Sequence, residues 1–258
     1  MPDCEVDHMD HADLTRLLKD WAYEPGRVNA RRIPGCDGRP KLQVRIDLGV
    51  LQMEIEGRPD GDRPNGFESL LAYQQDRCDR YAKHAGGSEG FVLTQEECRA
   101  LREEAVQYYH RYVALMAIGD FTGVIRDTTR NLAVFDLCRS HAVTESDRAV
   151  LEQFRPYVIM MRARSEGERA LAAGQNSAAL AAIDQGLVEI RSVLDATGRG
   201  ASWEQADEVQ LLRGMREALV PKLPASQRVE LQERLQAAID AENYELAAVL
   251  RDELRLLG

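Results

Sequence analysis

The chain has 258 residues, of which 44% are hydrophobic, so it can bury a substantial core in one large domain or two small ones. A formal net charge of -10 at neutral pH argues against a general affinity for nucleic-acid phosphates or anionic lipids. No apolar stretch approaches the roughly 20 residues that span a bilayer, and the acidic first residues differ from those of a secretion signal. The five cysteines lie far apart and form no CxxC pair, which is typical of reduced thiols. We therefore expect a cytoplasmic protein that makes no membrane contact and has no structural disulfide.

Residues 1–90 combine frequent glycine and proline with closely alternating charges, and they predict a small α/β module. Leucines and a tryptophan at helical spacing predict a short amphipathic helix over 12–23. Strict alternation of apolar and polar residues over 41–56 predicts a short β-hairpin, or one strand with a bulge at Gly49. A turn-rich loop then leads to a predicted helix over 67–83.

Beyond residue 90 the chain runs for long stretches without proline and carries apolar residues at helical spacing. Thr94 and Thr144 are each followed three residues later by an acidic side chain, which is typical of a helix amino terminus. The predicted helices cover 94–118, 121–139, 144–173, 176–197, 203–220, 226–241 and 243–257. Short connections imply antiparallel neighbours, so we predict a mainly α fold. Its predicted parts are the amino-terminal module, a helical-repeat-like body over 91–222 and a carboxy-terminal hairpin over 226–258.

Two segments of the body, 108–132 and 163–187, share a plan of helix, glycine turn and helix. The second segment has small side chains where its helices would cross, and it resembles a tetratricopeptide unit. Small residues at a crossing let two helices approach to about 8–10 Å. The turns at Gly119 and Gly174 lie about 55 residues apart, whereas tetratricopeptide units recur at about 34. We therefore predict a tetratricopeptide-like body without a regular array, and ordinary helical hairpins are the alternative.

The last segment, 231–257, has apolar residues at helical spacing in two successive helices, with alanines where the helices face each other. A hairpin of about 30 residues buries too little surface to be stable alone, so it must dock on another surface. The residues that carry a family resemblance are Leu231, Leu235, Ala238, Tyr244, Glu245, Ala247, Ala248, Leu250, Arg251, Asp252, Leu254 and Leu257. This segment resembles the UVR motif, which occurs in the B and C subunits of bacterial nucleotide-excision nuclease. The same motif occurs in an adaptor that works with a protein-arginine kinase and a Clp-type unfoldase.

The resemblance implies that the hairpin binds another protein, a second copy of itself, or the helical body of its own chain. It also implies that the partner belongs to a Clp-type protease system or to excision repair. The predicted partner-binding residues are Tyr244, Glu245, Ala248, Arg251, Asp252 and Leu254. Their charged members could form an interfacial ion-pair set that selects the partner. The alternative is a solvated helix face whose ion pairs contribute roughly a few tenths of a kcal/mol.

The segment 31–63 is rich in arginine and aspartate and supports a different hypothesis. Arginines that lie near one another can hold a phosphate or a carboxylate through paired hydrogen bonds. The possible ligand-binding residues are Arg45, Arg58, Asp60 and Arg63. The alternative is a small sheet with a charged outer face and a turn-rich loop. No histidine occurs in this segment, so general acid–base catalysis would lack its usual carrier.

The chain contains no phosphate-binding glycine loop, nucleophile elbow or HExxH sequence. Cys4, His8 and His11 have the spacing of metal ligands but lack a fourth ligand, so we favour a polar tail over a zinc site. Cys138 and His141 lie close in sequence but lack a third catalytic group. We therefore predict no catalytic residue, no metal and no cofactor, and we expect an adaptor or scaffold. Two alternatives are a ligand-binding or enzymatic module at 31–63 and a DNA-repair accessory protein that contacts DNA.

Overall fold

The computed structural model describes residues 14–220, 225–241 and 243–256. In this part of the chain, ten α-helices accompany one three-stranded antiparallel sheet near the amino terminus. The mainly α fold class, the small amino-terminal sheet and the carboxy-terminal two-helix hairpin are therefore confirmed. None of the helices described is long and apolar enough to cross a membrane. The chain divides into two compact units, residues 1–154 and 155–258, and the three-part division made from the sequence stays a prediction.

The first unit begins with a short helix and the sheet. Helix α1 covers Thr15–Lys19, and strands β1, β2 and β3 cover Asn29–Pro34, Pro40–Ile46 and Gly49–Glu54. The strands pair in chain order, and β2 turns into β3 through two residues, since Ile46 pairs with Gly49. The predicted hairpin is confirmed, and Gly49 begins a second strand where a bulge was the alternative. The alternation pattern does not reveal β1, whose sequence NARRIP contains adjacent arginines.

Four further helices belong to the first unit. They are α2 (Leu70–Ala85), α3 (Gln95–Ala117), α4 (Phe121–His141) and α5 (Glu145–Ala149). Thr94 forms a capping box with Glu97 and fixes the start of α3, as its sequence predicts. Helices α3 and α4 pack together and join at Gly119, whose φ of 74° suits glycine. The sheet packs against α3, and Leu42 and Leu101 are fully buried in the core of this unit.

The first helices of the second unit are α6 (Arg155–Ala172), α7 (Asn176–Ala196) and α8 (Asp207–Leu219). Helices α6 and α7 form a closely packed pair. A Cβ atom on Gly186 of α7 would lie 2.4 Å from the Cβ of Ala163 on α6, so only glycine allows this approach. The kinship of this pair with tetratricopeptide units stays a prediction. The single helix predicted over 144–173 is wrong, because Pro156 lacks a backbone donor and lies in the first turn of α6.

The carboxy-terminal hairpin consists of α9 (Ala225–Asp240) and α10 (Tyr244–Leu256), at the predicted positions. Asn243 organises the turn between them. Its side-chain oxygen accepts a hydrogen bond from the backbone N–H of Leu246 at 3.1 Å, which caps α10. Its own N–H donates to the carbonyl oxygen of Ala238 at 2.9 Å. The turn therefore satisfies backbone groups at the ends of both helices.

Candidate functional site

The carboxy-terminal hairpin has a small core of its own. The buried members are Leu231, Ala238, Ala247 and Leu250, and Leu235 and Leu254 pack against them. The alanines at this contact let α9 and α10 approach closely. A core of this size stabilises a helix pair only marginally, so the hairpin gains from docking on another surface.

Large apolar side chains of the hairpin remain exposed. They include Ile239 at 45%, Tyr244 at 70%, Leu246 at 42% and Val249 at 44% exposure. Exposed apolar side chains on one small element are typical of a surface that contacts another protein. Tyr244 is the most exposed of these residues, and tyrosine combines a large contact area with a polar end. The hairpin therefore exposes apolar side chains at the end of α9 and in the first half of α10.

Most of the predicted partner-binding residues reach the hairpin surface. Tyr244, Glu245, Arg251 and Asp252 are exposed, and Ala248 is half-buried. Leu254 lies on the inner side and packs against the hairpin core. The structure brings Arg251 and Asp252 together, with Arg251 Nε 3.8 Å from Asp252 Oδ1 and side chains that are 71% and 64% exposed. The contribution of so exposed a pair to stability is small, and the partner-binding roles stay a prediction.

Glu253 is a buried charge of the hairpin, with 1% of its surface exposed. It forms an ion pair with Arg216 of α8, whose Nε also donates to Asp184 Oδ1 of α7 at 2.7 Å. Burial raises the pKa of the Glu253 carboxyl, and the charge of Arg216 opposes that rise. Glu253 Oε2 is buried without a hydrogen-bond partner. Glu253 is not among the residues that the sequence predicts for this site. The one feature of the sequence that could have indicated it is its spacing of seven residues from Leu246, which puts both residues on one side of α10.

The sequence of the hairpin matches a known motif. The family model of the UvrB/uvrC motif matches residues 226–258. The resemblance predicted from the sequence is therefore confirmed for this segment, and α9 and α10 form a UVR hairpin. UVR motifs occur in proteins linked to excision repair and to Clp-related interactions. No curated protein and no solved structure matches the chain.

Outside the UVR hairpin, Arg45 was a predicted ligand-binding residue of segment 31–63. Its side chain lies in the sheet and is 9% exposed. It donates hydrogen bonds to the carbonyl oxygens of Trp21 at 3.0 Å and Gly49 at 3.1 Å. Backbone carbonyls therefore take up the donors of Arg45, and the residue fixes the β2–β3 turn.

The other predicted residues of this segment lie in the loop after β3. Arg58 forms ion pairs with Asp60 at 3.1 Å and with Glu104 of α3 at 3.3 Å. Arg63 is exposed. The structure thus brings Arg58 and Asp60 together and gives Arg45 a separate set of partners. This arrangement favours a charged sheet and an anchored loop, and the ligand-binding role stays a prediction.

Glu104 is the centre of a buried charge cluster in the first unit. Its side chain is fully buried and accepts hydrogen bonds from the N–H groups of Leu70 and Leu71, at 2.7 and 3.3 Å, at the start of α2. The guanidinium of Arg130 on α4 also contacts it. Burial and then the nearby charge of Arg58 lower the pKa of Arg130 to about 9. The cluster joins the loop after β3 to three helices.

A second buried ion pair of the first unit connects α3 and α4. Arg111 donates from Nε and Nη2 to the two oxygens of Asp127, at 2.7 and 2.8 Å. Arg111 Nη1 also donates to the carbonyl oxygens of Glu54 and Gly57, at 3.1 and 2.7 Å. Both charged side chains are at most 1% exposed. This arginine therefore connects the end of β3 to α3 and α4.

Three of the thiols of the first unit lie close to other side chains. His141 Nε2 lies 3.8 Å from the sulfur of Cys78, and His141 Nδ1 lies 3.2 Å from the carbonyl oxygen of Phe91. Cys138 is buried beside Cys98. Burial raises the pKa of the Cys138 thiol to about 12 and also raises the pKa of Cys78. His141 therefore lies beside Cys78 rather than Cys138, and these thiols keep their protons at neutral pH.

The candidate metal ligands Cys4, His8 and His11 lie outside the described residues. Among the residues that the structure describes, no group of three or more His, Cys, Asp or Glu side chains could hold a metal ion.

Proposed function

We propose that the protein is an adaptor that binds another protein through the exposed side of its UVR hairpin and catalyses no reaction itself. The observation that carries the proposal is the exposure of Tyr244, Leu246 and Val249 on a helix pair that matches an interaction motif. The hairpin core is small, so a partner surface adds stability that the hairpin lacks alone. By analogy with the UVR motif, the partner is a Clp-type unfoldase with its kinase, or a component of excision repair.

Charge favours a protein partner over DNA. Over residues 226–258 the acidic residues outnumber the arginines, and lysine is absent. Binding to DNA depends on cations that neutralise phosphates and release counterions. The net charge of -10 on the whole chain also disfavours binding to DNA. A second copy of the chain is the other candidate partner, because an exposed apolar face can pair with itself about a twofold axis.

Affinity purification from the native cell tests the proposal. The baits are the wild-type chain, a chain that lacks 226–258, and the variants Tyr244→Glu and Val188→Glu. Val188 of α7 is 64% exposed, so its substitution adds the same charge at an apolar surface position outside the hairpin. We expect the deletion and Tyr244→Glu to lose partners that Val188→Glu retains.

Identical partner sets for all baits would contradict the adaptor proposal. Sedimentation velocity of the wild-type chain and of Tyr244→Glu separates self-association from binding to another protein. A dimer that Tyr244→Glu dissociates and Val188→Glu preserves would identify a second copy as the partner.

A further inference from the structure

Helix α10 of the UVR hairpin has two stripes at helical spacing. The inner stripe consists of Ala247, Leu250 and Leu254, which face α9. The outer stripe consists of Leu246, Val249 and Glu253, which recur at the same spacings. Leu246 and Val249 are 42% and 44% exposed, whereas Glu253 is 1% exposed. The outer stripe is therefore an open apolar surface with a covered carboxylate at its end.

Arg216 of α8 covers this carboxylate. Its guanidinium lies between two acids, with Nε donating to Asp184 Oδ1 at 2.7 Å and Nη2 in an ion pair with Glu253. Since Asp184 belongs to α7, this arginine has a partner in the helical body that does not depend on the hairpin. Arg216 itself is 9% exposed. Helix α8 thus presents an oriented cation to the outer stripe.

The contact between α8 and the hairpin has the properties of one that opens. Glu253 loses its hydration on burial, and its Oε2 has no hydrogen-bond partner. Leu246 and Val249 stay partly exposed, so the ion pair is accompanied by little apolar burial at this face. A buried ion pair with incomplete hydrogen bonding contributes little net free energy, because desolvation offsets the Coulombic attraction.

We propose that the outer stripe is a partner-binding face whose charged end is occupied by α8 of the same chain, with the Arg216–Glu253 ion pair as an intramolecular latch. This inference rests on the proposed adaptor function and adds its regulation, because docking on α8 and full access to the outer stripe exclude each other. A partner that displaces α8 must present an arginine or lysine beside apolar side chains. Without that cation, Glu253 would be buried unpaired in the new interface.

Amide hydrogen exchange of the full chain, without any partner, tests the latch. Glu253→Arg places two cations together, and Asp252→Arg is its matched control because Asp252 is exposed on the same helix. Arg216→Met opens the latch from α8 and leaves the hairpin sequence unchanged. We expect exchange in α10 to rise about tenfold in Glu253→Arg and Arg216→Met, and less than about twofold in Asp252→Arg.

Wild-type exchange in both opening variants would overturn the latch. An equal rise in α6 and α7 would also overturn it, because Arg216 would then stabilise the whole unit. Glu253→Gln keeps an acceptor for Arg216 without the charge, so its α10 exchange should not exceed that of the wild type. The measurement involves no partner, so its failure and a failed affinity purification are distinguishable.

Discussion

Asp127 in the first unit and Glu253 in the second are both buried carboxylates that contact arginine, but their hydrogen bonding differs. Both oxygens of Asp127 accept from Arg111, at 2.7 and 2.8 Å. One oxygen of Glu253 contacts Arg216, and the other is buried without a hydrogen-bond partner. A buried charge is held firmly when its lone pairs are satisfied. The same chemical pair therefore makes a fixed joint in one unit and a releasable contact in the other.

Removal of Arg111 should have the largest effect on stability. Arg111→Met leaves the carbonyl oxygens of Glu54 and Gly57 without this donor and removes the bidentate partner of Asp127. We expect the free energy of unfolding, measured by urea denaturation, to fall by about 3–5 kcal/mol. The control is Arg99→Met, since Arg99 is 62% exposed and its loss should cost less than about 0.5 kcal/mol.

A loss below about 1 kcal/mol in Arg111→Met would contradict the distinction between a fixed joint and a releasable contact. The latch variant Arg216→Met gives the reference value for the second unit.

Glu104→Gln should have the next largest effect. The side-chain oxygen of the amide can still accept from one of the N–H groups of Leu70 and Leu71. The NH2 group replaces the other carboxylate oxygen, so it places a donor against the donor that this oxygen bound. We expect a loss of about 1–3 kcal/mol in the free energy of unfolding. Glu103→Gln is the matched control, because Glu103 is exposed on the same helix. Equal effects of the two substitutions would show that the buried cluster contributes little to stability.

Local signals in the sequence predict much of the fold. The capping box at Thr94 and the helical spacing after Gly174 depend on residues close together in the chain, so α3 and α7 lie where predicted. Strand β1 depends on distant pairing. Arg31 in β1 donates to Gln43 Oε1 at 3.0 Å and lies 4.0 Å from the ring centroid of Trp21, so tertiary contacts accommodate a charge that the strand pattern disfavours.

The candidate site is predictable only in part, for the same reason. The apolar spacing and alanines of α9 and α10 identify the UVR hairpin, since that pattern is local. The burial of Glu253 depends on Arg216, which lies 37 residues earlier in the chain. Arg45 and Arg58 belong to the same charge-rich segment, 31–63, but backbone carbonyls bind one and carboxylates bind the other. The chemistry of a side chain alone does not determine which groups of the folded chain will bind it.

The response of the latch to pH should be a smaller effect. Glu253 faces Arg216 from α8, Asp184 from α7 and Arg234 from α9. Burial raises the pKa of Glu253 in the docked state, so the docked hairpin holds this proton more tightly than the released hairpin does. Docking is therefore strongest below the ordinary pKa of the carboxyl and weakens as the pH rises through the raised pKa.

Amide exchange of α10 measures this response after correction for the intrinsic pH dependence of exchange. We expect slower corrected exchange at about pH 5 than at about pH 7.5 in the wild type. Glu253→Gln should abolish the difference, because the amide does not titrate. Faster exchange at the lower pH would mean that the attraction of Arg216 exceeds the cost of burial and that the ion pair acts as a fixed joint.

The smallest effect on stability is expected at the exposed pair of Arg251 and Asp252. Asp252→Asn should change the free energy of unfolding by less than about 0.5 kcal/mol, because both side chains are well solvated. If this pair selects the partner, the same variant should slow association with a purified partner, and added salt should reduce the difference from the wild type. Stopped-flow association rates at low and high salt measure this. A rate equal to that of the wild type at low salt would leave Asp252 as a solvated charge and assign partner selection to the apolar side chains beside it.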